Sequence, residues 1–491
     1  MSEHLPALQV VLPLVSAALC LVLRRAFVVR VFATAVAWAC FAIALALLAR
    51  VEAGGPISYA LGGWAPPLGI EYRVDSLNAY VLVIVTAIAA AVFPFPLRGR
   101  EVRIPRSRHF LFYASLLLAL TGLLGIAITG DLFNVFVFLE ISSLAAYTLV
   151  SLGRDRRALS AAFSYLVMGS LGAGFILIGI GLAYQMTGTL NMADLAVRLD
   201  PVRDTRTVWM AFAFLIVGTG IKLAVFPLHQ WLPNAYTYAP SLVAGFLSAT
   251  ATKVAFYFLA RLVFTVFGVA FAFESMGLGA VLLPASVAAL FVGSIAAAYQ
   301  TDLKRLLAYS SIAQIGYMTL GLALLEERAL TGSLLHLFNH ALIKGGLFLA
   351  AGCVVFRLRS SALADMRGLA RRMPLTAMAI VVGGLGLVGV PGTAGFVSKW
   401  YLVGGALEGG HLLVAFLLLA SSLVAAIYVW KVVEVMIARD GPEPEVRCEA
   451  PASMWVPTWA LIGASLYFGL QPQWSIGIAS QAARSLLAGA P

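Results

Sequence analysis

Gly218-Thr-Gly-Ile-Lys-Leu-Ala-Val-Phe-Pro-Leu-His-Gln-Trp-Leu-Pro233 sets a lysine and a histidine in an apolar run broken by glycines and prolines. Proline removes a helix hydrogen bond, and a lysine away from water is costly to place. In a membrane such a stretch survives where its freed backbone groups face protein, water or ions, and paired broken helices mark transporters. A second stretch of this kind is Gly384-Leu-Gly-Leu-Val-Gly-Val-Pro-Gly-Thr-Ala-Gly-Phe-Val-Ser-Lys399. Lys222 and Lys399 lie 177 residues apart, Lys253 and Lys431 lie 178 apart, and Asp131 and Asp302 lie 171 apart. This spacing predicts two five-helix repeats. Five crossings are an odd number, so the second copy is inverted, with one half-channel open to each side and the two meeting at the midplane.

Composition places these stretches in a membrane. Of 491 residues, 61% are hydrophobic and 11% charged, against about 25% charged in soluble domains. Apolar runs of about 20 residues, long enough to span the hydrocarbon core, recur from end to end. The expected fold is an all-α integral membrane protein with about fourteen spans: 5–23, 27–49, 74–96, 110–129, 131–152, 159–184, 207–229, 241–268, 278–300, 303–325, 330–356, 374–405, 411–438 and 453–472. The seventh and twelfth are broken, and the repeats comprise spans 4–8 and 9–13. The chain then divides into 1–108 (three spans and a Gly/Pro-rich external loop), 109–276 and 277–440 (the repeats), and 441–491 (the last span and a tail). The first span is read as a retained helix, since no basic segment precedes it and no cleavage site follows. The tail, 474–489, reads as a short interfacial helix.

Twenty basic residues fall in the odd-numbered loops and eight on the other side, so the positive-inside rule puts both termini outside the cytoplasm. The net charge of +11 is explained by these loops and needs no nucleic acid. Five basic residues remain, all lysines within or at the edges of spans: Lys222, Lys253, Lys344, Lys399 and Lys431. Among the interfacial cations only Lys304 is not arginine. Arginine keeps its charge almost anywhere, whereas a buried lysine can exchange a proton near neutral pH. Glu140 sits mid-span with no charged neighbour in its own helix, so its partner is expected to be a lysine from another. His336, His340 and Lys344 are spaced i, i+4, i+8 on one helix face. The His pair has zinc spacing but no local third ligand, so no metal is expected. The row reads as part of a proton wire, with His229, Lys431 and Glu434 as further candidates. The four cysteines form no CxxC pair, no cofactor is expected, and no nucleophile–base constellation supports a catalytic enzyme.

Four motifs then carry a resemblance: Gly130-Asp-Leu-Phe…Glu140, Lys222…Pro227-Leu-His-Gln-Trp-Leu-Pro233, Asp302-Leu-Lys-Arg-Leu-Leu-Ala-Tyr-Ser-Ser-Ile-Ala-Gln-Ile-Gly-Tyr317 and His336-Leu-Phe-Asn-His-Ala-Leu-Ile-Lys344. The chain resembles, over nearly its whole length, the proton-translocating antiporter-like subunits of respiratory complex I, membrane-bound hydrogenases and Mrp-type cation/proton antiporters. The resemblance implies a Glu140–Lys222 pair, a central Lys253, a histidine-bearing eleventh helix and a terminal Lys399 exchanging protons with the far side. Lysine at that last position, and the loop Leu61-Gly-Gly-Trp-Ala-Pro-Pro-Leu-Gly-Ile-Glu71, resemble the D-like Mrp subunit. The long lateral helix of the largest family members is not expected. Implied partners are other membrane subunits of a hetero-oligomeric complex, protons, Na⁺ or another monovalent cation, and lipid, in a bacterial plasma membrane. The alternatives are a proton-pumping subunit of a redox complex and, in a different class, a stand-alone solute carrier.

Overall fold

A computed structural model describes residues 2–97, 101–438 and 448–489. Arg98, Arg100, Arg439 and Arg447, which enter the charge count, and the boundary at 440/441 lie outside the described residues. In chain order the elements are α1 (Leu5–Cys20), α2 (Ala26–Gly54), strands β1 (Ile57–Ala60) and β2 (Glu71–Val74), α3 (Ser76–Val92), α4 (His109–Ile128), α5 (Leu132–Ser151) and α6 (Arg157–Thr187). There follow α7 (Met192–Leu199), α8 (Arg206–Leu223), α9 (Trp231–Tyr238), α10 (Ser241–Ala260), α11 (Leu278–Ala298), α12 (Leu303–Ala323) and α13 (Glu327–Leu358). The last are α14 (Leu369–Arg372), α15 (Pro374–Val388), α16 (Ala394–Glu408), α17 (Leu412–Ile437), α18 (Ala452–Leu470) and α19 (Gln473–Leu487).

Among the described residues, ten helices are long and apolar enough to cross a membrane, and α1, α3 and α15 are shorter apolar helices. Large apolar side chains such as Trp38, Leu171, Phe416, Leu423 and Trp430 remain exposed on the outside of the bundle, where lipid is the compatible solvent. The chain is a multi-pass, all-helical membrane protein apart from one hairpin. That hairpin, with Ile57 opposite Val74, forms within the expected external loop. The tail is helical as expected, but α19 packs on α13 and α3 and buries Ile478, Ala482 and Leu486.

Both expected breaks occur, with different bounds. The seventh span, read as ending at 229, runs on through α9 to Tyr238. Pro233 is the third residue of α9, in the first turn, where its missing N–H breaks no bond. Ahead of it α8 ends on Ala224, held in the left-handed region at φ 62°, a conformation a non-glycine residue rarely adopts. The twelfth span divides into α15 and α16 around Gly389, which has φ 87°. A Cβ on Gly395 would lie 1.9 Å from the carbonyl oxygen of Gly386, so the two half-helices touch backbone to backbone.

Asp131 and Asp302 are matched devices. Each caps its helix, accepting from the N–H of Asn134 at 2.7 Å and of Arg305 at 3.0 Å. Backbone bonds repeat beside them: Leu132 N–H to the Leu190 carbonyl and Leu303 N–H to the Ser361 carbonyl, both 2.8 Å. Met192 N–H to the Gly130 carbonyl and Leu363 N–H to the Thr301 carbonyl are a second such pair, again both 2.8 Å. The first device sits beside the hairpin, where Gly130 N–H meets the Glu71 carbonyl. The second sits at the link between α9 and α10, where Lys304 reaches the Ala239 carbonyl.

α13 runs through the centre, touching α3, α10, α12, α15, α16, α18 and α19. Gly395→Ala should force α15 and α16 apart and destabilise by about 1–3 kcal/mol. Gly463→Ala, where a Cβ meets open space, is the control. Thermal melting of the purified protein in detergent should separate the two.

Candidate functional site

Lys222 lies in the last turn of α8, just before the break. Trp231 closes that turn by donating its indole N–H to the Ile221 carbonyl at 2.9 Å, and it stacks at 4.1 Å on Tyr165 of α6. Thus anchored, Lys222 donates to Ser143 Oγ at 2.9 Å and Tyr147 OH at 3.4 Å, both on α5. Its Nζ is 3.8 Å from Glu140 Oε1. That is an ion pair without a hydrogen bond, and no other described group donates to Glu140 Oε1. Ser142, Ser143, Thr219 and Lys222 give a polar edge to an otherwise apolar cavity of about 50 Å³.

Lys253 is fully buried in α10 and donates to the Ser248 carbonyl at 2.5 Å and Thr252 Oγ1 at 3.3 Å. His340 is within electrostatic reach of Lys253 and Lys344, and His336 of Lys253 and Lys399. The two rings are parallel, 5.9 Å apart. His336 is held at both nitrogens, by Ser398 Oγ and Gln314 Oε1, each at 2.9 Å. Neither nitrogen of His340 has a hydrogen-bond partner among the described residues. Lys344 donates to Ser310 Oγ and, at 2.6 Å, to the Leu307 carbonyl of α12.

Lys399, in α16, reaches back across the second break. It donates to the carbonyls of Leu387 and Val388 at 2.9 Å each and to Ser422 Oγ at 3.0 Å. Those carbonyls end α15 and would otherwise be unpaired. Gly389 leaves the passage, since a Cβ there would lie 2.8 Å from Lys399 Cδ. The Tyr317 ring lies 4.4 Å from the ammonium.

The structure therefore pairs Glu140 with Lys222 and sets Lys253, Lys344 and Lys399 within electrostatic reach of the two histidines. The three further candidates fall outside this row. Lys431 donates to the carbonyls of Ala298 and Gln300 at 2.9 Å, capping α11 from α17. Although it matches Lys253 in spacing, α17 is a peripheral helix, 33% buried over its apolar window against 94% for α10. Glu434 is exposed. His229 stacks on Phe226 at 5.2 Å within the link between α8 and α9.

Two cations read as interfacial are buried. Lys304 is 6% exposed and Arg261 7%. Arg261 is paired with Asp75 and donates to Asn78 Oδ1 at 2.5 Å and Tyr257 OH at 3.2 Å. The span assigned to 241–268 already contained Arg261, and its partner Asp75 caps the start of α3, accepting from the N–H groups of Leu77 and Asn78. The hydroxyls that hold the lysines (Ser143, Tyr147, Ser310 and Ser422) carry no charge signal and were missed. Gln314 and Ser398 lie inside quoted motifs, yet their part in holding His336 depends on packing between helices.

Residues 129–425 match the family described as NADH:quinone oxidoreductase/Mrp antiporter, transmembrane. The chain belongs to this family. It is 45% identical to the N-type subunit of NADH-quinone oxidoreductase from Desulforudis audaxviator, over 92% of this chain and 90% of that one. To the D-type subunit of the Na⁺/H⁺ antiporter from Bacillus subtilis it is 29% identical, over 98% and 96%. A chain of the membrane-bound sulfane sulfur reductase, an archaeal respiratory membrane complex, superposes with a TM-score of 0.90 at 29% identity, covering 99% of this chain and 98% of that one.

Removing one member of a buried ion pair is expected to cost about 3–5 kcal/mol. Arg261→Met should therefore lower the melting temperature sharply, and Arg261→Met with Asp75→Asn should recover part of the loss. A double-mutant cycle by thermal melting measures both.

Proposed function

We propose that this chain is the proton-conducting subunit of a multisubunit monovalent cation/proton antiporter, similar to the D-type subunit of Mrp complexes. The observation that carries the reading is Lys222 at a helix break, 3.8 Å from Glu140, in a protein that also buries a Lys/His row. Lys222 is the gate: its charge is favoured while Glu140 is ionised and disfavoured when that charge is neutralised. Protons arrive near Lys253, pass along the His336/His340/Lys344 face and leave through Lys399. The near-complete alignment with a D-type Na⁺/H⁺ antiporter subunit supports this assignment, and the other membrane subunits of such a complex are its partners.

The architecture we propose has fourteen crossings, with α8–α9 and α15–α16 each a single broken one. The ten long helices then combine with α1, α3, α15 and α18. Residues 109–276 and 277–440 are inverted repeats, flanked by 1–108 and 441–491. The matched bonds at Asp131 and Asp302, near opposite ends of the bundle, support inversion. Both termini lie outside the cytoplasm. His4 hydrogen-bonds Tyr59 of the hairpin at 2.9 Å. Arg484 pairs with Glu327 at the start of α13, and α13 ends beside the Asp302 device on the arginine-rich face.

One observation favours a second reading, a proton-pumping subunit of a redox complex: the 45% identity to an N-type subunit of NADH-quinone oxidoreductase. Mild-detergent purification from the native membrane with mass spectrometry separates the two. Small membrane subunits without redox proteins support the antiporter, and co-purifying iron–sulfur or flavin subunits support the pump. In either complex, Lys222→Ala and Glu140→Ala should each abolish proton transport in proteoliposomes while assembly stays intact. Undiminished transport in both variants sinks the gate.

A further inference from the structure

The row described above begins deep in the protein, so something must connect it to water on the arginine-rich face. A polar cavity of about 400 Å³ opens there, at the seam between the two proposed repeats. It lies at the feet of α10, which carries Lys253, and of α12, whose Leu307 and Ser310 hold Lys344. Two of the charged groups lining it are Glu101 and Lys304, and Lys304 is buried. Glu101 accepts a hydrogen bond from Ser241 Oγ at 2.5 Å, at the first residue of α10. Lys304, in the first turn of α12, donates to the Ala239 carbonyl at 2.5 Å. Both therefore grip the same three-residue link, 239–241, and they are within electrostatic reach of one another.

We propose that Glu101 and Lys304 form the mouth of the proton route, taking protons from this antechamber and passing them toward Lys344 and Lys253. This rests on the proton-conduction reading above. The mouth and the row share one helix: Leu307 lies one turn beyond Lys304 in α12, a rise of about 4.5 Å, and its carbonyl holds Lys344. Glu101 suits an entry group because it lies in a loop and faces opposed influences. Burial pushes its carboxyl up from the ordinary range, while Lys304 and the Ser241 hydrogen bonds draw it back. The other charged groups lining the cavity are Arg154, Asp155, Arg157, Asp302 and Arg359. Arg157 is tied to Asp155, and Asp302 is engaged by Ser361. Cys353 of α13 is also within electrostatic reach of Glu101.

A purely structural role, pinning the loop before α4 to the seam, predicts that Glu101→Gln conducts normally, since glutamine keeps the shape and an acceptor for Ser241. The entry role predicts that Glu101→Gln cuts proton flux about tenfold while Glu101→Asp retains most of it. The assay is the intact complex in proteoliposomes with an internal pH dye, with Lys222→Ala run beside it. Loss of flux in Lys222→Ala with full flux in Glu101→Gln overturns the entry route alone. Full flux in both overturns the conduction reading as well. If Glu101→Gln fails to assemble, Ser360→Cys, which lines the cavity, decides in a background with the four native cysteines replaced by serine. A membrane-impermeant cationic thiol reagent applied from the arginine-rich side should label it and suppress flux. Labelling without any change in flux, or no labelling, overturns the proposal.

Discussion

Inside hydrocarbon, an ammonium group needs acceptors and a broken helix has carbonyls to spare; the interior of this protein is organised around bringing the two together. Lys399 ties down the two carbonyls that end α15. Lys431 does the same at the end of α11. Lys304 takes the Ala239 carbonyl in the link between α9 and α10, whereas Lys253 and Lys344 take the carbonyls of Ser248 and Leu307 inside the continuous helices α10 and α12. A break that would be costly alone and a cation that would be costly alone stabilise one another.

Lys222 is the exception among the six lysines. Its donated hydrogen bonds run to hydroxyls, on Ser143 and Tyr147, and its charge partner is a carboxylate. A carbonyl dipole is fixed, so a lysine held by carbonyls and a hydroxyl with no carboxylate bonded to it, as Lys399 is, sits in a nearly constant field. A carboxylate can be neutralised or moved, so the environment of Lys222 can change by a whole charge. That physical difference, more than its depth, makes Lys222 the natural control point of the row in the proposed mechanism. The 3.8 Å separation fits a pair coupled through space and not locked by a hydrogen bond.

The two proposed repeats carry similar devices in different settings. The Asp131 and Asp302 caps share their helix-capping bond and two flanking backbone bonds, yet Lys253 lies at the centre and Lys431 at the edge, because α10 is enclosed by neighbours and α17 is not. Lys222 precedes its break, whereas Lys399 follows the other and reaches back. Similar spacing in the chain has produced distinct electrostatic environments.

How much of this was legible beforehand follows from the range of the forces involved. Apolar runs, Gly/Pro breaks and isolated charges are properties of the chain itself, and the membrane makes them strict. The membrane class, both broken spans, the need of Glu140 for a lysine from another helix and the His336–His340–Lys344 face could therefore be read from residues alone; that the lysine is Lys222 was implied by the family resemblance. Boundaries at the breaks could not, because whether Pro233 ends a helix or begins one depends on which N–H groups already lack partners. Nor could the burial of Lys304 and Arg261, whose partners Ala239 and Asp75 come from distant segments. A linear pattern says that a charge must be satisfied. Only the packing of helices remote in sequence decides which carbonyl, hydroxyl or carboxylate satisfies it, and so which lysine is free to respond.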